Sequence, residues 1–255
     1  MRYALHGKIA NTPAHQVAVT IDGESGEITV AGTVDETRLF GSKLRLTTAI
    51  TTKAGQPGLT ITDTIHNLSG EPSELELLYH TNFGLPFIGP GAKVVLAVKK
   101  GAPRDAVAVK DVPQWDTYGP FSPGAPEVVF FFELAADHQG QTQTLLHNAA
   151  GDRGVSLKFD TRQLPCFSFW KNRQAEADGY VTGLEPGINF PNVRSFEKDC
   201  GRVAVLAPGE SRTCAVTLEA HVDAPSVDGA RQAVAALQGS TKPEFLKQPN
   251  PEWSN

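Results

Sequence analysis

Gln16-Val17-Ala18-Val19-Thr20-Ile21 runs into Asp22-Gly23, and Glu27-Ile28-Thr29-Val30 comes out of it. Both arms alternate apolar and polar residues with a period of two and are rich in β-branched types, and Asp-Gly accepts the backbone angles of a tight hairpin turn. The stretch predicts two antiparallel strands. Residues 44–52 and 59–65 repeat the alternation around the breaker Gly55-Gln56-Pro57-Gly58. Further strands are expected at 75–80, 93–98, 127–134, 142–148, 155–159, 166–171, 180–185, 203–206 and 211–221, separated by turns such as Ala207-Pro208-Gly209-Glu210. With no alternation of strand and helix, a parallel sheet is disfavoured. The expected fold is all-β, a large antiparallel β-sandwich, as one domain over 1–222. A short C-terminal helix over 227–237, capped by Asp228, and a polar extended tail to Asn255 form a second segment, 223–255. Residues 101–126, rich in Pro, Gly and Asp, read as a long structureless segment of the kind that forms lids or binding loops.

Composition narrows the classes of function. Hydrophobic residues are 40 % of the 255, enough for a sizeable core, and 24 Gly with 18 Pro supply many turns. A net charge of -5 gives no basic footprint for nucleic acid. No apolar run is long enough to span a bilayer and the N-terminus lacks the apolar core of a signal peptide, so a soluble, cytoplasmic protein without a membrane partner is expected. Three cysteines, Cys166, Cys200 and Cys214, are an odd number and argue against a disulfide framework, although a Cys200–Cys214 bridge stays open. No metal is expected, because no Cys-x-x-Cys or His-Glu-x-x-His occurs, and no cofactor, because phosphate-cradling glycine loops are absent.

Two short segments carry proton-transfer groups among polar neighbours: Tyr79-His80-Thr81-Asn82-Phe83 and Gly183-Leu184-Glu185-Pro186-Gly187-Ile188-Asn189. Glu185 stands where a strand ends and the chain turns, a place where partial desolvation raises a carboxyl towards the range of a general base. His80 follows an apolar strand, and an imidazole with an ordinary pKa of about 6.5 serves as acid or base at neutral pH. Each has a bland alternative: a solvated surface carboxylate, and a core histidine bonded to a backbone carbonyl. His6 poses the same ambiguity. Phe169-Trp170-Lys171-Asn172 offers an aromatic face and a cation, which suits the C–H face and hydroxyls of a saccharide, or simply packs into the core. Nucleophilic catalysis is disfavoured, since no Gly-x-Ser-x-Gly elbow is present.

Taken together, Leu5-His6-Gly7, Tyr79-His80-Thr81-Asn82-Phe83-Gly84, Gly183-Leu184-Glu185-Pro186, Asn189-Phe190-Pro191 and Leu206-Ala207-Pro208-Gly209-Glu210 resemble the aldose 1-epimerase (galactose mutarotase-like) superfamily. Leu5 to Ala14 is similar to a bacterial branch of it labelled only epimerase-like. The resemblance implies a large sandwich with a sugar on its concave face and interconversion of anomers as the activity. It makes Glu185 the general base on the C1 hydroxyl and His80 the general acid on the ring oxygen. His6, Asn82, Trp170, Lys171 and Asn189 become the substrate-binding residues, and the partner a small sugar, with a homodimer compatible. Asp116 and Glu127 are the stand-ins for the family's substrate-orienting aspartate. Family members carry several strands ahead of Leu-His-Gly, so the resemblance also implies that N-terminal strands are lacking. The alternative is a non-catalytic carbohydrate-binding or regulatory module on the same sandwich.

Overall fold

The structure, a computed structural model, describes residues 6–254, so Leu5 of the first motif lies outside them. Along the chain run β1 (Gln16–Asp22), β2 (Glu27–Thr37), β3 (Lys43–Lys53), β4 (Gly58–Asn67), β5 (Ser73–Leu75), β6 (Thr81–Gly84), β7 (Lys93–Leu96) and β8 (Val98–Pro103). The helix α1 (Ala106–Val109) precedes β9 (Val128–Leu134), β10 (Gln141–His147), β11 (Gly154–Asp160), β12 (Cys166–Arg173) and β13 (Tyr180–Gly187). Then come α2 (Arg194–Asp199), β14 (Ala204–Leu206), β15 (Ser211–His221), α3 (Ala224–Gln238) and β16 (Glu244–Phe245). No helix among the described residues is long and apolar enough to cross a membrane.

The chain divides into two compact units, Met1–Glu76 with Val203–Thr217, and Leu77–Arg202 with Leu218–Asn255. In the first, β1, β2, β3 and β4 form an antiparallel meander, and the part of β15 up to Thr217 lies beside β4. Threonine hydroxyl pairs tie β15 there, Thr60 to Thr217 at 2.9 Å and Thr64 to Thr213 at 3.2 Å. The register puts Val17, Val19 and Ile21 of β1 on the same face as Ile28 and Val30 of β2 and Ile50 of β3. All six are exposed, Ile21 by 69 %.

The second unit holds a six-stranded sheet in the order β16-β8-β9-β12-β13-β6 and a run of β11-β10-β7. Val-Val-Phe-Phe-Phe-Glu-Leu of β9 is apolar almost throughout because both of its faces are covered, and Phe130, Phe131 and Phe132 are fully buried. On one face Phe167 of β12 stacks on Phe159 of β11 with ring centroids 6.1 Å apart, which closes sheet on sheet as in a sandwich. On the other, Phe131, Cys166, Phe190 and Trp253 cluster with Ala102 and Val129. Helix α3 packs Val227, Ala230 and Val234 against Ala97 and Leu145.

Several expectations need correction. The expected strand 75–80 is broken: β5 stops at Leu75, and the chain resumes pairing only through a bridge at Leu78 and then β6. Residues 101–126 are not structureless, since they finish β8 and form α1, whose first turn is capped by the Asp105 carboxylate accepting from the N–H groups of Val107 and Ala108. The helix at the C-terminal end begins at Ala224, with Asp223 as its cap in place of Asp228. The tail is anchored by β16, which pairs parallel with β8, and by the buried Asn250 and Trp253. None of the three cysteines is joined in a disulfide.

Candidate active site

The register of the six-stranded sheet assembles the site. Thr81 pairs with Leu184, Asn82 with Gly183, and the Tyr79 N–H donates to the Pro186 carbonyl at 2.9 Å, so His80 falls opposite Glu185 on one face of the sheet. Across β12 the same face carries Ser168 opposite Glu185 and Trp170 opposite Gly183. Period-two alternation along β6, β12 and β13 therefore gathers His80, Asn82, Ser168, Trp170 and Glu185. Tyr79, one residue before His80, is buried.

The His80 Nε2 atom lies 3.2 Å from Oε1 of Glu185. The imidazole is 29 % exposed, whereas the carboxyl is only 5 % exposed. This is ion-pair distance without hydrogen-bond alignment, and Oε1 is buried with no hydrogen bond. The Nδ1 atom of the ring sits 2.9 Å from Oδ1 of Asn82. With its proton on Nδ1 donated to that amide oxygen, the ring turns Nε2 towards Glu185 as the site where a proton arrives or leaves. Trp170 packs edge-on against the imidazole with centroids 5.5 Å apart.

Around this pair runs a chain of charged hydrogen bonds. The Trp170 indole N–H donates to Oε2 of Glu127 at 3.0 Å, and Arg104 donates through Nη2 to Oε1 of the same carboxylate at 3.0 Å. Arg104 also donates through Nε to Asp105 at 2.9 Å. Burial pushes the Glu185 carboxyl up to about 8, the Glu127 carboxylate adds to the rise, and the Arg104 guanidinium opposes it. A carboxyl tuned near neutrality is suited to taking and returning a proton.

The other expected residues have surroundings of their own. Lys171 does not join the site. Alternation turns it to the face opposite Trp170, where its ammonium is 1 % exposed and donates to Asp111 at 2.5 Å and to the carbonyls of Gln114, Trp115 and Thr117. Asn189 is buried, and its side-chain amide donates to the Phe190 carbonyl at 2.8 Å. His6 is exposed in a turn of the first unit. Of the two stand-in carboxylates, Glu127 reaches Trp170, whereas Asp116 accepts from the Thr117 hydroxyl at 2.9 Å. Arg104 and Ser168 escape sequence reading. The former sits in the segment taken as a loop, and the latter is a serine in an apolar strand whose Oγ is buried without a hydrogen bond. Among the described residues, no group of three or more His, Cys, Asp or Glu is placed to hold a metal ion.

Residues 1–220 match a family model described as a domain of unknown function (DUF4432). The chain belongs to this DUF4432 family. No curated protein matches it. Among solved structures, it is similar to a "putative aldose 1-epimerase" from Klebsiella pneumoniae, with 33% identity and a TM-score of 0.94 over 97% of this chain and 65% of that one. The DUF4432 chain thus spans less than two thirds of the Klebsiella protein. A galactose mutarotase-like protein from Clostridium acetobutylicum follows at 19% identity and TM-score 0.60, covering 85% of this chain and 69% of that one. A GalM/aldose epimerase homologue from C. elegans gives 11% and 0.52, over 82% and 70%. The fold of this DUF4432 member is galactose mutarotase-like, as the resemblance of its motifs implied.

Proposed function

We propose that this protein interconverts the anomers of an aldose by acid-base ring opening and closure, with Glu185 as general base and His80 as general acid. The observation that supports it is the 3.2 Å approach of a partly exposed imidazole to a buried carboxyl. The C1 hydroxyl oxygen and the ring oxygen of a pyranose are bonded to the same carbon. An acid and a base serving them therefore belong side by side, as these two are. In the carboxylate–imidazolium form of the pair, Glu185 takes the proton from the C1 hydroxyl and His80 gives one to the ring oxygen. The bond from C1 to the ring oxygen breaks and an aldehyde forms. Rotation about C1–C2 and the reverse proton transfers close the ring on the other face, which leaves both side chains as they began. Positioned acid and base groups contribute typically about 10²- to 10⁴-fold, enough for a reaction that already proceeds slowly in water. Trp170, held by Glu127, offers an aromatic face to the sugar, and Asn82 fixes the imidazole.

Proton NMR of freshly dissolved α-glucose, α-galactose and other aldoses checks this by following the anomeric signals to equilibrium. Wild-type protein accelerates the approach for at least one aldose, and Glu185→Gln and His80→Ala abolish the acceleration. Variants that keep the full wild-type rate overturn the assignment of roles. Sugar binding in a calorimeter with no rate effect would instead support the carbohydrate-binding module.

A further inference from the structure

We infer that Gly183 is a positioning residue whose missing side chain makes room for the Glu185 carboxyl to lie against His80. The inference rests on the acid-base reading above. Gly183 sits in the interior of β13 with extended backbone, and it is not among the glycines with positive φ, so no backbone conformation demands a glycine there. A glycine inside a strand weakens it and commonly marks a close approach. Here the approaching group is Glu185 itself, two residues on and therefore on the same face. A Cβ at position 183 would stand 3.1 Å from Cδ and 3.3 Å from Cγ of Glu185 and would overlap Oε1, the oxygen facing His80. The three atoms nearest to it all belong to that one side chain. The carboxyl thus folds back over the glycine, next to Asn82 across β6 and Trp170 across β12. An alanine would leave the strand intact and drive the carboxyl into another rotamer, away from Nε2.

The test compares Gly183→Ala, Glu185→Asp and the double variant with wild type. Gly183→Ala is expected to fold, with unchanged circular dichroism and an unlowered Tm, while kcat for anomer equilibration falls about 10²-fold and KM changes little, since a misplacement of about 1 Å costs that much. In the shorter Glu185→Asp background the added alanine is expected to cost much less, because Oε1, the atom it would overlap, no longer reaches back over position 183; that non-additivity identifies the mechanism. A second readout needs no turnover. NMR titration of the Glu185 carboxyl carbon and the His80 ring shows each signal following the other in wild type and titrating independently in Gly183→Ala. Were wild type to lack all anomerase activity, the proposed function would fail and the titration would still decide this inference. Coupled titration retained in Gly183→Ala overturns it. So does an unfolded Gly183→Ala protein that Glu185→Asp does not rescue, because the glycine would then serve the backbone.

Discussion

A carboxyl as deeply buried as that of Glu185 makes the protein less tolerant of high pH. Burial holds its pKa in the folded state near 8, against an ordinary value of 4.5 in the unfolded chain, so between these values the folded state binds the additional proton. Its unfavourable contribution is absent below about 4.5, grows as pH rises, and is complete above about 8. Glu185→Gln removes that dependence. Thermal unfolding followed from pH 5 to pH 9 should therefore show the wild-type Tm falling relative to that of the variant, and a constant difference would contradict the raised pKa. His80 and Glu185 were singled out as groups at strand ends, but β13 runs on to Gly187 and no strand leads into His80; the register of β6 on β13 is what brings them together. Lys171 misled because a cation beside a tryptophan suits a sugar, yet adjacent strand residues face opposite ways and its four oxygen partners come from residues 54–60 positions earlier in the chain. Arg104 gave no signal, as its value lies in the Glu127 carboxylate that β9 brings to it.

At the scale of elements, alternation located most strands to within two residues, and 211–221 without error. It failed at 75–80, because Tyr79 bonds to the Pro186 carbonyl while Leu77 accepts from the Ile188 N–H, so that stretch pairs with the end of β13 outside a regular ladder. The start of α3 was misread for a related reason. Asp223 and Ser226 close a reciprocal capping box with Pro225 in the first turn, whereas Asp228 lies inside the helix and pairs with Arg231. Asp223→Ala should accordingly destabilise the protein by about 1 kcal/mol in urea unfolding, and Asp228→Ala by less than about 0.5 kcal/mol. The reverse order would show that the box does not hold the helix end. The tail was hard to read because its anchors are single residues without a repeating pattern: Phe245 stacks on Trp115, the Leu246 N–H donates to the Gly101 carbonyl, Asn250 and Trp253 are buried, and the Trp253 carbonyl accepts from Asn192.

For the whole molecule, composition pointed to an all-β chain with a large core, but not to a division into two units, because Met1–Glu76 and Val203–Thr217 are joined by pairing that no local pattern records. The first unit also shows the apolar face of β1, β2 and β3 to solvent. Exposed β-branched residues beside an open strand edge favour association between chains. Val19→Lys is expected to lower concentration-dependent light scattering while leaving Tm nearly unchanged, and scattering that stays the same would exclude this face as its cause. The division bears on dissecting the protein. A recombinant piece ending at residue 76 would lack β15, leaving β4 with bare amide and carbonyl groups and the Thr60 and Thr64 hydroxyls without Thr217 and Thr213. The first unit is therefore obtainable in isolation only by splicing 203–217 onto it or by supplying that strand as a peptide.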